Sequence, residues 1–138
     1  MTYYKVVLQK SDIRFTSCIA TDDRLSTEYI LNKWTFPRIE GSKLFIFKDL
    51  QSAQRFIQKL DWKYYTCRIL ECEAQGVVKN APMISYTIFN SDSLVNKIKN
   101  IWTRYKNKKK WTHLVERSYS FPYGTLWADS VKLTKLVQ

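Results

Sequence analysis

The sequence predicts an α+β fold: a single domain in which a mainly antiparallel sheet of about five or six strands carries two helices on one face. Three observations predict it. Short runs are rich in aromatic and β-branched residues, hairpin-length connections join them, and two stretches show the apolar spacing of helices. The length of 138 residues suits one domain, residues 1–138, and 45% hydrophobic residues suffice for a core.

Four strands are predicted before the first helix. Residues 3–9 and 14–20 alternate in the manner of strands, and the turn signal between them predicts a hairpin. Residues 29–34 predict a short third strand, and residues 43–47 predict a buried fourth strand.

The first helix is predicted over residues 50–60, with Asp49 as its N-cap. A long strand over residues 64–74 follows, then a second helix over residues 91–106 and a last strand over residues 125–136. The first helix has an apolar stripe that can lie on the sheet, formed by Leu50, Ala53, Phe56, Ile57 and Leu60.

The chain carries a large positive charge, because 23 Lys and Arg residues stand against 12 Asp and Glu residues, a net charge of +11. A surplus of this size indicates an anionic partner. Basic residues are concentrated in residues 96–117, which include the lysine-rich stretch Lys106 to Lys110. Lysines suit phosphate attraction better than base recognition, so a nucleic-acid-binding protein remains an alternative.

Familiar catalytic and metal-binding patterns do not occur in the sequence. His113 is the only histidine, and no P-loop, G-x-S-x-G or HExxH spacing is present. Cys67 and Cys72 lie in a predicted strand at an odd separation, so their side chains should point to opposite faces. Glu71 and Glu73 share one strand face, a pattern more typical of a solvated strand than of an acid–base pair. We therefore expect no catalytic residue, metal or cofactor, and an enzyme acting on a nucleotide or ADP-ribose substrate remains an alternative.

A membrane location is not expected. No apolar run approaches the ~20 residues that cross a bilayer. The N-terminal residues also lack the basic and apolar regions of a signal peptide. The sequence thus predicts a cytoplasmic protein.

Arginine and aromatic residues form two groups in the sequence. Each group combines flat rings, which stack on a nucleobase, with guanidinium groups, which bind phosphate. For any single residue a surface salt bridge or aromatic packing is the better explanation, but with the positive charge the set indicates a nucleotide-like anion. The groups are Arg24, Trp34 and Arg38, and Arg117, Tyr119 and Tyr123.

Several stretches together carry a resemblance to a known family. They are YKVV at residues 4–7, the strand at 29–34, GSKLFIFKDLQSAQRF at 41–56, ILECEAQGV at 69–77 and YGTLWADSVKL at 123–133. With them, most of the chain resembles the anti-Thoeris signal-sequestering proteins of bacteriophages, which are known as sponges.

The resemblance implies a non-enzymatic role in the cytoplasm of an infected bacterial host cell. Such sponges bind cyclic ADP-ribose isomers made by a bacterial TIR-domain protein and keep them intact from their effector. They assemble as homo-oligomers, and some also hold cyclic oligonucleotides at a second site. By resemblance, Phe89, Asn90, Arg117 and Tyr119 would supply ring stacking, hydrogen bonds and phosphate contacts. The lysine-rich stretch has no counterpart in the family.

Overall fold

The computed structural model describes residues 1–17, 27–38, 43–59, 67–78 and 124–138, which contain eight strands and one helix. All recorded strand pairs among them are antiparallel, which confirms the predicted kind of sheet. In chain order the elements are β1 (Tyr3–Gln9), β2 (Arg14–Ser17), β3 (Glu28–Ile30), β4 (Trp34–Thr35), β5 (Leu44–Phe47), α1 (Leu50–Lys59), β6 (Cys67–Gln75), β7 (Thr125–Ala128) and β8 (Ser130–Leu136).

The strands form one sheet in the order β3-β2-β1-β6-β8-β4, and its two ends come close together. The turn between β3 and β4 brings them together through two backbone hydrogen bonds. Leu31 N–H donates to the Ile13 carbonyl beside β2, and Asn32 N–H donates to the Leu133 carbonyl of β8, both at 2.8 Å. Asn32 has a φ of 64°, which asparagine tolerates better than most residues. The sheet is therefore a nearly closed barrel.

The sheet forks at β1, which has three neighbouring strands. β6 pairs along one edge, so β2, at residues 7–9, and β5, at Tyr4, share the other edge. Lys5 lies between these two pairings and is only 2% exposed. Its ammonium group donates a hydrogen bond to the Phe45 carbonyl oxygen at 2.6 Å and lies 3.8 Å from the centroid of the Phe45 ring. A buried lysine thus binds β5 at the point where β2 and β5 diverge.

Two apolar clusters lie on opposite faces of the sheet. The inner cluster fills the barrel, and the outer cluster packs between the sheet and α1. Cys72 belongs to the inner cluster and Cys67 to the outer one, so the prediction that they occupy opposite faces is confirmed. The largest inner residues are Phe15, Tyr29, Ile46, Leu70 and Leu133, and the outer ones include Val6, Phe47, Phe56 and Ile69.

The helix α1 begins as the sequence predicts. The Ser52 backbone N–H donates to the Asp49 carboxylate at 2.7 Å, which satisfies one free donor of the first turn. This hydrogen bond, with that of the Ser52 side chain, lowers the pKa of Asp49. The stripe residues Ala53, Phe56 and Ile57 are buried against the sheet. Leu60 and the second predicted helix, residues 91–106, lie outside the described residues.

Two strand predictions are wrong, and the described residues hold more strands than the five or six expected. Residues 29–34 form parts of two strands because the turn at Asn32 separates β3 from β4. Residues 125–136 are divided at Asp129, whose N–H donates to the Gln75 carbonyl at 2.8 Å. β7 then pairs with β5, whereas β8 pairs with β6 and β4. Neither division is marked by glycine or proline. The sequence pattern therefore gave no signal that either strand ends there.

Gly124 stands immediately before β7 and packs against α1. Its φ is 92°, and its carbonyl accepts a hydrogen bond from the Lys48 N–H at 2.9 Å. A Cβ atom at this position would lie 2.1 Å from the Ser52 Oγ and 2.8 Å from the Ser52 Cβ. Glycine suits this position because its backbone is left-handed and its close neighbour is a helix side chain.

Substitution Gly124→Ala is therefore expected to lower the free energy of unfolding by about 1–3 kcal/mol, measured by urea denaturation. Both the left-handed backbone and the contact with Ser52 contribute to the loss. The double variant Gly124→Ala/Ser52→Ala should recover only part of it, because the backbone strain remains. A Gly124→Ala variant as stable as the wild-type protein would contradict this packing.

Candidate functional site

Two of the eight residues predicted to bind a ligand lie in the described part of the chain, Trp34 and Arg38. Trp34 begins β4, Arg38 follows four positions later, and both are exposed. The other six lie outside the described residues: Arg24, Phe89, Asn90, Arg117, Tyr119 and Tyr123. A site built from described residues therefore starts at Trp34.

Trp34 is one member of a row of three side chains that crosses three neighbouring strands. In the register of the sheet, Trp34 of β4 is opposite Lys132 of β8, and Lys132 is opposite Glu73 of β6. Directly opposite residues of antiparallel strands project on the same face, so the three side chains are neighbours. We call them the Trp34–Lys132–Glu73 row.

The distances within the row show two interactions of the same ammonium group. The Lys132 Nζ lies 5.3 Å from the centroid of the Trp34 ring, within the range of a cation–π contact. The same atom lies 2.8 Å from the Glu73 Oε2. Lysine carries three N–H donors, so the ion pair with Glu73 leaves capacity for further hydrogen bonds.

The row remains accessible to solvent. The relative exposure is 38% for Trp34, and 28% and 55% for the side chains of Lys132 and Glu73. An ion pair this exposed contributes only about 0–1 kcal/mol to folding. The fold therefore depends little on this ion pair. An exposed ring can stack on a flat molecule, and the ammonium group beside it can bind the negative charge of that molecule.

Phe36 and Arg38 extend the same end of the sheet along the chain. Phe36 is 64% exposed, more than most large apolar side chains in the described residues. Pro37 separates it from Arg38, whose side chain is also exposed. Apolar and cationic groups therefore continue beyond the row.

Glu71 and Glu73 lie on one face of β6, as predicted, and each is directly opposite a lysine of β8. The sheet register sets Glu71 opposite Lys135 and Glu73 opposite Lys132. The ion pair of Glu73 with Lys132 is the arrangement of a solvated strand face. It favours that interpretation of the two acids over a general acid–base pair.

A second group of titratable side chains is buried inside the barrel. Burial raises the pKa of the Cys72 thiol to about 12, although the positive charge of Lys5 acts in the opposite direction. At neutral pH the thiol is therefore protonated, and a protonated thiol is a poor nucleophile. Lys5 donates to the Phe45 carbonyl and also lies 5.4 Å from the centroid of the Tyr29 ring. This group has the character of a core contact.

Within the described ranges, no three His, Cys, Asp or Glu side chains are grouped as a metal site would require. In the same part of the chain, the one helix is too short and too polar to traverse a lipid bilayer.

Comparisons with known proteins give no relative for this chain. No protein-family model, no curated protein and no solved structure matches it.

Proposed function

We propose that this protein binds a cyclic nucleotide signal, in particular a cyclic ADP-ribose isomer, and sequesters it without degrading it. The observation that carries the proposal is the Trp34–Lys132–Glu73 row. It presents a half-exposed indole ring beside an ammonium group that retains donor capacity. A nucleotide requires both features, because its base is flat and its phosphates are anionic.

The charge of the chain supports the same proposal. A net charge of +11 attracts an anionic ligand over distance and raises its association rate at low salt. Sequestration requires no general base or nucleophile. It requires contacts rigid enough to give a low dissociation constant. Sheet residues such as Trp34 and Lys132 are held by strand pairing and meet that requirement. A second ligand site for cyclic oligonucleotides is proposed only by resemblance.

Assembly as a homo-oligomer belongs to the proposal. The chain has five Trp and nine Tyr residues, and Trp34 and Phe36 are exposed two positions apart in the sequence. Exposed aromatic residues are enriched at subunit interfaces. Light scattering at micromolar concentration tests this part, and a purely monomeric protein would contradict it.

A mixing experiment distinguishes the proposed function from its alternatives. The protein is incubated with a cyclic ADP-ribose isomer and filtered, the retained fraction is heat-denatured, and the released small molecule is identified by chromatography. Sequestration predicts retention of the ligand and its release intact. A changed product would indicate an enzyme, and a protein that retains only nucleic acid would support the nucleic-acid alternative.

Trp34→Ala is expected to weaken binding of the cyclic ADP-ribose isomer about 5- to 150-fold, because stacking of one base on an aromatic ring contributes roughly 1–3 kcal/mol. Titration calorimetry gives the two dissociation constants. Ile13→Ala is the control, since it removes an exposed apolar side chain that lies between β1 and β2, outside the row. Equal affinities of Trp34→Ala and the wild-type protein would remove the row from the binding site.

A further inference from the structure

Glu73 introduces a negative charge into a surface that we propose binds an anion. Its carboxylate lies 2.8 Å from the ammonium group of Lys132, so the lysine and the glutamate together carry no net charge. The centroid of the Trp34 ring lies 5.3 Å from the same ammonium group, and Trp34 and Glu73 belong to the two strands that flank β8. A phosphate that reaches Lys132 from a base stacked on Trp34 would therefore approach Glu73 as well.

We infer that Glu73 makes this surface select ligands by the charge on each phosphate group. Its carboxylate shifts binding toward phosphodiesters and pyrophosphates, with one negative charge per phosphate, and away from terminal phosphomonoesters, which are dianionic above about pH 6. The inference rests on the proposed function, in which Trp34 stacks on the base. It adds the class of ligand that the surface accepts.

The geometry gives the size of the effect. Two oxygen atoms that both accept hydrogen bonds from one lysine nitrogen are about 5 Å apart when the O···N···O angle is near tetrahedral or wider. At that separation, repulsion between two single charges in water corresponds to a factor of about four in affinity. A dianionic phosphate experiences it twice, so Glu73 should disfavour a monoester over a diester by about fourfold. The ion pair is partly exposed, so the value calculated for water, about fourfold, is the appropriate one.

Lys132 can bind a phosphate while it remains paired with Glu73. The surface therefore accepts phosphate groups but responds to the number of charges that each one carries. Lys132 uses one donor for Glu73 and keeps donors for the ligand. A monoanionic phosphate gains an ammonium contact that outweighs one repulsion, since the ammonium is nearer than the carboxylate. A second charge on the same phosphate increases both the attraction and the repulsion, so Glu73 offsets part of what that charge gains from Lys132. Removing a dianion from water also costs more than removing a monoanion.

The experiment compares two adenine nucleotides that differ in phosphate charge: adenosine 3′,5′-cyclic monophosphate, a diester, and adenosine 5′-monophosphate, a monoester. Dissociation constants are measured by titration calorimetry at pH 8 and low salt. The ratio of the two affinities in the wild-type protein is the reference value. Glu73→Gln, which keeps a hydrogen-bond acceptor for Lys132, should strengthen monoester binding about fourfold more than diester binding.

Three variants make the result specific to Glu73. Asp12→Asn removes one negative charge from the exposed turn between β1 and β2, and it should leave the ratio of the two affinities unchanged. Lys132→Gln should weaken both nucleotides, and Trp34→Ala should do the same, which locates binding at the row. Circular dichroism checks that each variant is folded.

Two outcomes would overturn the inference. One is an unchanged ratio of affinities in Glu73→Gln, and the other is the failure of both nucleotides to bind the wild-type protein at millimolar concentration. If the filtration assay retains an intact cyclic ADP-ribose isomer while the ratio is unchanged, only the charge selection fails. If the ratio changes as expected but no signal is retained, the selection stands and the proposed sequestration fails.

Discussion

Substitution Phe56→Ala is expected to lower the free energy of unfolding by about 3–5 kcal/mol. Phe56 is fully buried between α1 and the sheet, and its ring centroid lies 5.2 Å from that of Phe47 and 5.6 Å from that of Phe45. Truncation removes these ring contacts and leaves a cavity in the outer cluster. Since single domains are stable by only about 5–15 kcal/mol, this change removes a large share of the total.

Urea denaturation of the purified protein measures this loss, with Gln58→Ala as the matched control. Gln58 lies two positions away on the exposed side of the same helix. Its truncation should change the free energy of unfolding by no more than about 0.5 kcal/mol. A Phe56→Ala loss below about 1 kcal/mol would contradict the packing of α1 on the sheet.

The folded protein is expected to lose about 1.4 kcal/mol of stability per pH unit between pH 9 and pH 12 through Cys72. The pKa of this thiol rises from its ordinary value of 9.0 to about 12 because burial disfavours the thiolate. In that window the unfolded chain releases the proton and the folded chain keeps it. Unfolding is then favoured as pH rises. Below pH 9 the contribution is fully present.

The Cys72→Ala variant isolates this contribution, because lysine and tyrosine side chains titrate in the same pH range. The free energy of unfolding is measured at pH 8, 10 and 11 for both proteins. At pH 11 the wild-type protein should have lost about 3 kcal/mol more than the variant. Val131→Ala, which truncates the same inner cluster without removing the thiol, should keep the wild-type pH dependence. Parallel curves for the wild-type and Cys72→Ala proteins would contradict the buried thiol.

Local patterns predicted the elements whose structure depends on neighbouring residues. β1 occupies the predicted residues, and α1 begins after Asp49 with its apolar stripe buried. In both cases the periodicity and the capping residue are contained within a few positions. The burial of Lys5 was not predicted, because alternation along β1 says nothing about a fork in the sheet. Only the separate pairings of β2 and β5 create a place for its ammonium group.

The candidate site was predicted in part for the same reason. An exposed aromatic residue between arginines indicated Trp34, but nothing near it in sequence indicates Lys132 or Glu73. These two side chains reach Trp34 through strand pairs between segments far apart in the chain. Knowledge of the strand order would have been needed to find them. Arg24, which was predicted beside Trp34, and Arg117, which was predicted in the second group, lie outside the described residues.

The position of β8 between β6 and β4 has a consequence for how quickly the protein folds. The segments joined by these pairings are separated by many residues, and closing such large loops costs entropy before the contacts form. We therefore expect closure of the barrel to be slow and late, after the β1–β2 hairpin and α1. Until β8 pairs with β6 and β4, Lys132 is not in place between Trp34 and Glu73. Competence to bind ligand should thus appear at the rate of final closure, and stopped-flow refolding with ligand present would measure that rate.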